Sequence, residues 1–202
     1  TYILNTVRKT MGKNRLEAFS DGVLAIIITI MVLGLTIPEG TGFNALSSLL
    51  PNFFGYALSF IYVGIYWNNH HHLIHAAGHA SGSVLWSNLN LLFWLSLFPL
   101  STGWMGNNYS DPIPTAFYGF VLFMAAVAYH ILQRCIMATD GCSSVLHDAV
   151  GKDWKGKLSL VLYLTAVAVS FLSTWAAQAI YLGVALMWLV PDKRIERALS
   201  EK

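Results

Sequence analysis

A series of apolar runs about 20 residues long is the feature that most constrains this chain. The hydrocarbon core of a bilayer is about 30 Å thick, and an α-helix needs about 20 apolar residues to cross it. The composition agrees with such spans, because 55% of the residues are hydrophobic and only 11% are charged, whereas soluble domains contain roughly 25% charged residues. The sequence therefore predicts an all-α integral membrane protein.

Charged residues, prolines and glycines divide the apolar runs into six predicted spans. The last run, from Leu158 to Val190, is too long for one span, so we divide it into two short helices with a break near residues 174–178. Pro51 is expected in the first turn of the second span, where proline is tolerated, and Pro99 is expected to kink the third. The predicted spans form a single domain over residues 1–202 and run at about 15–37, 51–75, 84–105, 113–134, 158–174 and 176–190.

The basic residues indicate how these spans are oriented. With six spans, the two termini share one side with the loops between spans two and three and between spans four and five. All 12 basic residues fall on that side: Arg8, Lys9, Lys13, Arg15, Arg134, Lys152, Lys155, Lys157, Lys193, Arg194, Arg197 and Lys202. The positive-inside rule therefore predicts cytoplasmic N- and C-termini. A net charge of +2 is too small to suggest a nucleic-acid partner.

Polar side chains near the cytoplasmic ends of the first three spans predict an intramembrane polar network. Asp21 lies about 9 Å inside the first helix, where an ionisable group is costly without partners. In this topology the polar ends of spans two and three lie at the same depth, but the sequence does not show which atoms pair. The predicted network comprises Arg15, Phe19, Ser20, Asp21, Trp67, His70, His71 and Asn88 or Asn90.

The first span also carries an aliphatic stripe. At 100° per residue, Ile26, Ile30, Leu33 and Ile37 fall within about 60° of helix surface, with Thr29 at the edge and Asp21 nearly opposite. Periodicity alone leaves open whether this stripe faces lipid or other helices, because every apolar helix has such a face.

The motif that opens the first span resembles the bacterial form of the TMEM175 family of potassium channels. The resemblance rests on Arg-x-x-x-Phe-Ser-Asp at residues 15–21 and Ala-Ile-x-x-Thr-Ile-x-Val-Leu at residues 25–33. It continues through Trp67-x-x-His70-His71 and from Asn88 to Pro99, so it covers most of the first three spans.

This resemblance implies a homotetramer in which the first helix of each chain lines a central cation pathway. The narrowest hydrophobic ring would be formed by Ile26, with further rings at Ile30 and Leu33, and Thr29 matches a threonine associated with ion selectivity. Gly34 departs from the family pattern, in which an acid is expected. The resemblance also implies K⁺ as the permeant ion, no cofactor, and a multi-pass location in the plasma (inner) membrane of a prokaryote.

Selectivity has to arise without a carbonyl filter, because the sequence contains no Thr-Val-Gly-Tyr-Gly segment. A ring of isoleucines can gate by dewetting, and a more weakly hydrated ion passes it more easily. We therefore expect a modest preference for K⁺ over Na⁺.

Three other classes of protein are alternatives: a metal-binding membrane protein, a secondary transporter and an enzyme. Five histidines lie between residues 70 and 79, and His71, His75 and His79 have the spacing of one helix face. Their own loop supplies no acid or cysteine, so no metal site is predicted, although a metal-binding membrane protein stays an alternative.

A secondary transporter would show an internal repeat, and the Phe-Ser-Asp motif occurs once. An enzyme is not expected, because no nucleophile lies beside a base at motif spacing.

Overall fold

The structure is a computed structural model that describes residues 2–77, 79–138 and 154–189. The described residues form α-helices joined by turns and irregular segments, with no strand among them. The helices are α1 (Tyr2–Leu33), α2 (Phe43–Ala76), α3 (Gly82–Ser96), α4 (Phe98–Asn107), α5 (Pro112–Met137), α6 (Trp154–Ser170) and α7 (Thr174–Leu189). The predicted all-α membrane fold is confirmed, with α3 and α4 together forming the third of six helical spans.

The helices run alternately up and down, as contacts between their ends show. Lys13 near the start of α1 donates to the carbonyl of His75 at the end of α2. At the opposite end of the bundle, Asn52 near the start of α2 donates to Asn107 at the end of α4. Gln178 near the start of α7 donates to the carbonyl of Tyr109, in the turn after α4. Successive spans are therefore antiparallel.

This arrangement places the described basic residues at one end of the bundle. Lys13 and Arg15 lie near the start of α1, Arg134 near the end of α5, and Lys155 and Lys157 near the start of α6. Five of the basic residues, Lys152, Lys193, Arg194, Arg197 and Lys202, lie outside the described residues. The cytoplasmic orientation of both termini stays a prediction.

Within the described residues, four helical stretches are long and apolar enough to cross a membrane: Gly12–Leu33, Phe43–His75, Gly82–Asn107 and Pro112–Met137. The last two helices are shorter, with 17 residues in α6 and 16 in α7. At 1.5 Å per residue each is about 25 Å long, slightly less than a bilayer core. The expectation of two short final helices is confirmed.

Several helix boundaries differ from those expected. α2 begins at Phe43 rather than Pro51, so Pro51 lies inside the helix instead of in its first turn. α1 starts well before residue 15 and ends at Leu33 rather than residue 37. The break between the last two helices falls at residues 171–173, before the expected position, because the hydroxyl of Ser173 accepts a hydrogen bond from the Ala176 amide and caps α7.

The kink expected at Pro99 is confirmed as a full break in the third span. α3 ends at Ser96, Leu97 separates the helices, and α4 begins at Phe98 with Pro99 in its first turn. Proline has no amide hydrogen to donate to the carbonyl four residues earlier, and its ring would clash with that carbonyl. The helix is therefore interrupted at Leu97 and restarts at Phe98 within the same apolar stretch, Gly82–Asn107.

The core is held together by tyrosine and serine hydroxyls as well as by apolar packing. Tyr62 of α2 donates to the carbonyl of Tyr181 in α7 over 2.6 Å, and the Tyr181 hydroxyl donates to the carbonyl of Thr115 in α5 over 3.1 Å. Ser59 of α2 is bonded to Thr102 of α4 at 2.6 Å and to Tyr118 of α5 at 2.9 Å. These buried polar groups are paired, as a membrane interior requires.

Candidate functional site

One face of α1 packs against the rest of its own chain. Its side chains contact α2, α3 and α4, and they repeat every three or four residues, which is the spacing of one helix face. The buried residues of this face are Leu16, Ser20, Leu24, Ile27 and Met31. α1 is therefore anchored along one side only.

A second face of α1 is left open by the chain. The exposed fraction is 59% for Ile26, 50% for Ile30 and 77% for Leu33. Phe19 lies on the same face and is also exposed. These side chains form a continuous apolar strip, which we call the open face of α1, and nothing in the described chain covers it.

Thr29 lies at the edge of the open face, and its hydroxyl proton is already engaged in a hydrogen bond. Its hydroxyl donates to the carbonyl of Ala25 over 2.9 Å. A hydroxyl has one donor and two acceptor lone pairs, so this hydrogen bond leaves the oxygen of Thr29 able to accept or to coordinate a cation.

Much of the predicted polar network is brought together between α1, α2 and α3. His70 Nε2 lies 2.7 Å from Asn88 Oδ1, the Asn88 amide donates to Ser20 Oγ over 3.0 Å, and the Ser20 hydroxyl donates to the Leu16 carbonyl over 2.9 Å. The amide oxygen of Asn88 has to accept, so His70 carries its proton on Nε2. His70 is only 2% exposed and both Ser20 and Asn88 are 0% exposed. We call this the His70–Asn88–Ser20 chain.

Asp21 has a separate partner on α2. Its Oδ1 accepts a hydrogen bond from Trp67 Nε1 at 3.0 Å. Trp67 in turn stacks on the ring of His71, with centroids 6.3 Å apart and planes inclined by 30°. These contacts give the carboxylate a donor on the neighbouring helix.

Three residues expected in the network lie elsewhere, and one of them is Phe19, which is exposed on the open face of α1. Arg15 is exposed and forms no ion pair with the described residues, because it lies 11 residues before Ile26 and so only about 20° around the helix from the open face. Asn90 is half-buried and has no hydrogen-bond partner in the described part of the chain, because it lies about 200° around α3 from Asn88.

Histidines at the end of α2 meet an acid that sequence analysis did not assign to them. Glu17 of α1 places its Oε1 2.8 Å from His71 Nδ1 and 3.5 Å from His75 Nε2. His79 lies beyond the end of α2 at Ala76, so the three histidines do not form one helix face. Lys13, Glu17 and Asp21 are spaced by four residues, and this spacing was a usable signal for a polar face directed at α2.

A cavity also lies between α2, α5, α6 and α7. It encloses about 540 Å³ of space, including part open to the surroundings, and tyrosines such as Tyr66 and Tyr163 line it together with His130 and Gln133. The buried Oε1 of Gln133 has no partner among the described residues. His130 accepts a hydrogen bond from Arg134, and the lining residues include no cysteine or carboxylate.

Comparison with known proteins gives a consistent result. A sequence profile described as the endosomal/lysosomal potassium channel TMEM175 matches residues 15–99. The chain is 52% identical over 191 residues to a potassium channel of Chryseobacterium sp. (strain P1-3), covering 95% of this chain and 100% of the relative. It is 34% identical over 100 residues to the human endosomal/lysosomal proton channel TMEM175, covering 43% of this chain and 20% of the human protein.

The fold has also been seen in a solved structure. The crystal structure of a lysosomal potassium-selective channel TMEM175 homolog from Chamaesiphon minutus matches with a TM-score of 0.78 at 24% identity. The match covers 88% of this chain and 96% of that chain. At this level of identity the likeness shows the shared fold.

Proposed function

This chain belongs to the TMEM175 family of ion channels, which are not enzymes, and we propose that it is a potassium channel. Four copies surround a central pore, and α1 of each copy lines it. The permeant ion is K⁺, with a modest preference over Na⁺ and no cofactor. The channel resides as a multi-pass protein in the plasma (inner) membrane of a prokaryote.

The observation that carries this proposal is the open face of α1. α1 is anchored by one face, while Ile26, Ile30 and Leu33 remain largely exposed on another. One helix contributes only one face to a pore, so symmetric copies are needed to bring several open faces of α1 around one axis.

The open face accounts for gating in this proposal. Rings of Ile26, with Ile30 and Leu33 beyond them, make a narrow apolar passage that excludes water when closed. Ile26 forms the narrowest ring. Rotation of α1 or of its side chains widens the ring, admits water and allows ions to pass.

Selectivity rests on two features of the same face. A partly dehydrated ion passes an apolar constriction, and K⁺ loses its water at lower cost than Na⁺. The oxygen of Thr29 replaces part of the lost hydration, because its hydroxyl proton is already directed at the Ala25 carbonyl. Because few protein ligands replace the lost water, the discrimination between K⁺ and Na⁺ is modest.

Electrical recording from the purified chain in planar bilayers tests this function. With K⁺ on one side and Na⁺ on the other, the reversal potential should shift toward the K⁺ equilibrium potential. The human relative is called a proton channel, so a pH gradient is imposed separately. A reversal potential that follows the pH gradient alone would show that the chain conducts protons rather than K⁺. Ion uptake without ohmic current would instead support a transporter.

A further inference from the structure

Three side chains with metal-binding atoms converge where the first turns of the membrane-spanning stretch of α1, Gly12–Leu33, meet the end of α2. Glu17 contributes a carboxylate oxygen, and His71 and His75 contribute one ring nitrogen each. The three atoms all lie within 4.8 Å of one another. We infer that Glu17, His71 and His75 form a binding site for a divalent transition metal such as Zn²⁺, which we call the Glu17–His71–His75 site.

The spacing of the ligand atoms is close to what a metal ion needs. Tetrahedral zinc with bonds of about 2.0–2.1 Å holds its ligand atoms about 3.3 Å apart. The Glu17 oxygen lies 2.8 Å from the His71 nitrogen and 3.5 Å from the His75 nitrogen. These two distances are within about 0.5 Å of the tetrahedral value, and the two histidine nitrogens are no more than 4.8 Å apart.

The ligand types select the class of metal. Two imidazoles and one carboxylate suit Zn²⁺ and neighbouring transition ions, whereas Mg²⁺ and Ca²⁺ prefer all-oxygen sites. The side chains of His71 and His75 are 42% and 51% exposed, while that of Glu17 is 18% exposed. The ion can therefore enter from solvent and keep a water molecule as its fourth ligand.

Neighbouring contacts hold the ligands in place before a metal arrives. His71 stacks on Trp67, which is fixed by its hydrogen bond to Asp21. Lys13 donates to the carbonyls of His75 and Ala77 and so ties the end of α2 to α1. Asp21 lies one turn from Glu17, and its carboxylate adds negative charge favourable to a cation.

A metal ion at this site joins α1 to α2. The two helices otherwise meet here through single hydrogen bonds and ion pairs at a solvent-exposed end of the bundle. Since the site has ligands from both helices, a bound ion stabilises the folded chain over the unfolded one. This consequence does not depend on whether the chain conducts K⁺.

Zn²⁺ titration of the full-length chain without a histidine tag tests the site. The protein is stripped with a chelator in detergent, and the melting temperature and binding heat are followed. Zn²⁺ should raise the melting temperature of the parent and saturate at one ion per chain, whereas Mg²⁺ should not. Binding should weaken on acidification from pH about 7.5 to about 5.5, because the imidazoles must be neutral to bind metal.

Two histidine variants make the test specific. His75→Gln removes one ligand at an exposed position and should raise the apparent Kd for Zn²⁺ at least tenfold. His79→Gln, a matched change four residues further along, should leave the Kd unchanged. A parent that shows no saturable Zn²⁺ binding, or a His75→Gln variant that binds as tightly as the parent, would overturn the proposed site.

Discussion

The hydroxyl of Ser20 shows how one small residue fixes the contact between three helices. It donates to its own helix at Leu16 and accepts from Asn88 of α3, which is bonded to His70 of α2. In the His70–Asn88–Ser20 chain each side chain donates a hydrogen bond to the next one. The donor of each residue is therefore paired only while the next residue is present. In an interior without water, losing one member leaves its neighbours unpaired.

Removing Asn88 should therefore be costly. Asn88→Ala leaves His70 and Ser20 buried without their partner, and each unsatisfied group costs about 1–3 kcal/mol. We expect a loss of about 2–4 kcal/mol in the free energy of unfolding, seen as a lower melting temperature in detergent. The matched control is Asn90→Ala on the same helix, which should change stability by less than about 0.5 kcal/mol. Equal effects would show that the hydrogen bonds do not stabilise the fold.

The six-span topology predicted several members of the polar network, but not which of them form hydrogen bonds with one another. Ser20, Asp21, His70 and Asn88 were expected together because the six-span topology places them at one depth. Depth says nothing about rotation around each helix, so Arg15 was included although its helical angle puts it beside Ile26. Glu17 was not assigned to the histidines because ligands were sought within their own loop, and the structure supplies the acid from another helix.

At the scale of whole helices, α7 depends on close approach to α5. Tyr181 is fully buried and lies over Gly119, with its hydroxyl bonded to the Thr115 carbonyl. A methyl group on Gly119 would collide with the Tyr181 hydroxyl. The absence of a side chain at residue 119 is therefore what lets α5 and α7 pack together.

Gly119→Ala should destabilise the protein despite the better helix propensity of alanine. Overpacking of this kind costs about 1–3 kcal/mol, and the Tyr181 hydrogen bond is disturbed as well. Gly183→Ala is the control, since it lies on α7 with no atom near its added methyl group and should be neutral or slightly stabilising. Thermal melting of both variants distinguishes them, and equal melting temperatures would count against the tight contact.

The helix boundaries show where sequence patterns carry less information. Apolar runs and Pro99 indicated the number of spans and the break in the third. They did not show that α2 extends over residues 43–50, because Pro51 is a common helix start and the expected span begins there. The break before α7 depends on a serine cap, which is a local contact that hydropathy does not report.

For the whole molecule, the central question is what covers the open face of α1. A strip containing Ile26, Ile30 and Leu33 on an otherwise anchored helix requires either lipid or further copies of the chain. We expect purified protein in mild detergent to have a protein mass near four chains, which light scattering and crosslinking in membranes can measure. A monomer or dimer in both measurements would contradict the tetrameric pore.

The most direct test of the pore is the current carried by an Ile26→Asn variant. Asparagine at this position hydrates the proposed constriction with little change in helix propensity, so the current should rise and discrimination between K⁺ and Na⁺ should fall. Ile28→Asn is the control, because Ile28 packs partly against the core of its own chain and its substitution should impair folding without opening the channel. If Ile26→Asn conducts and selects like the parent while Ile28→Asn changes both properties, the open face of α1 does not line the pore.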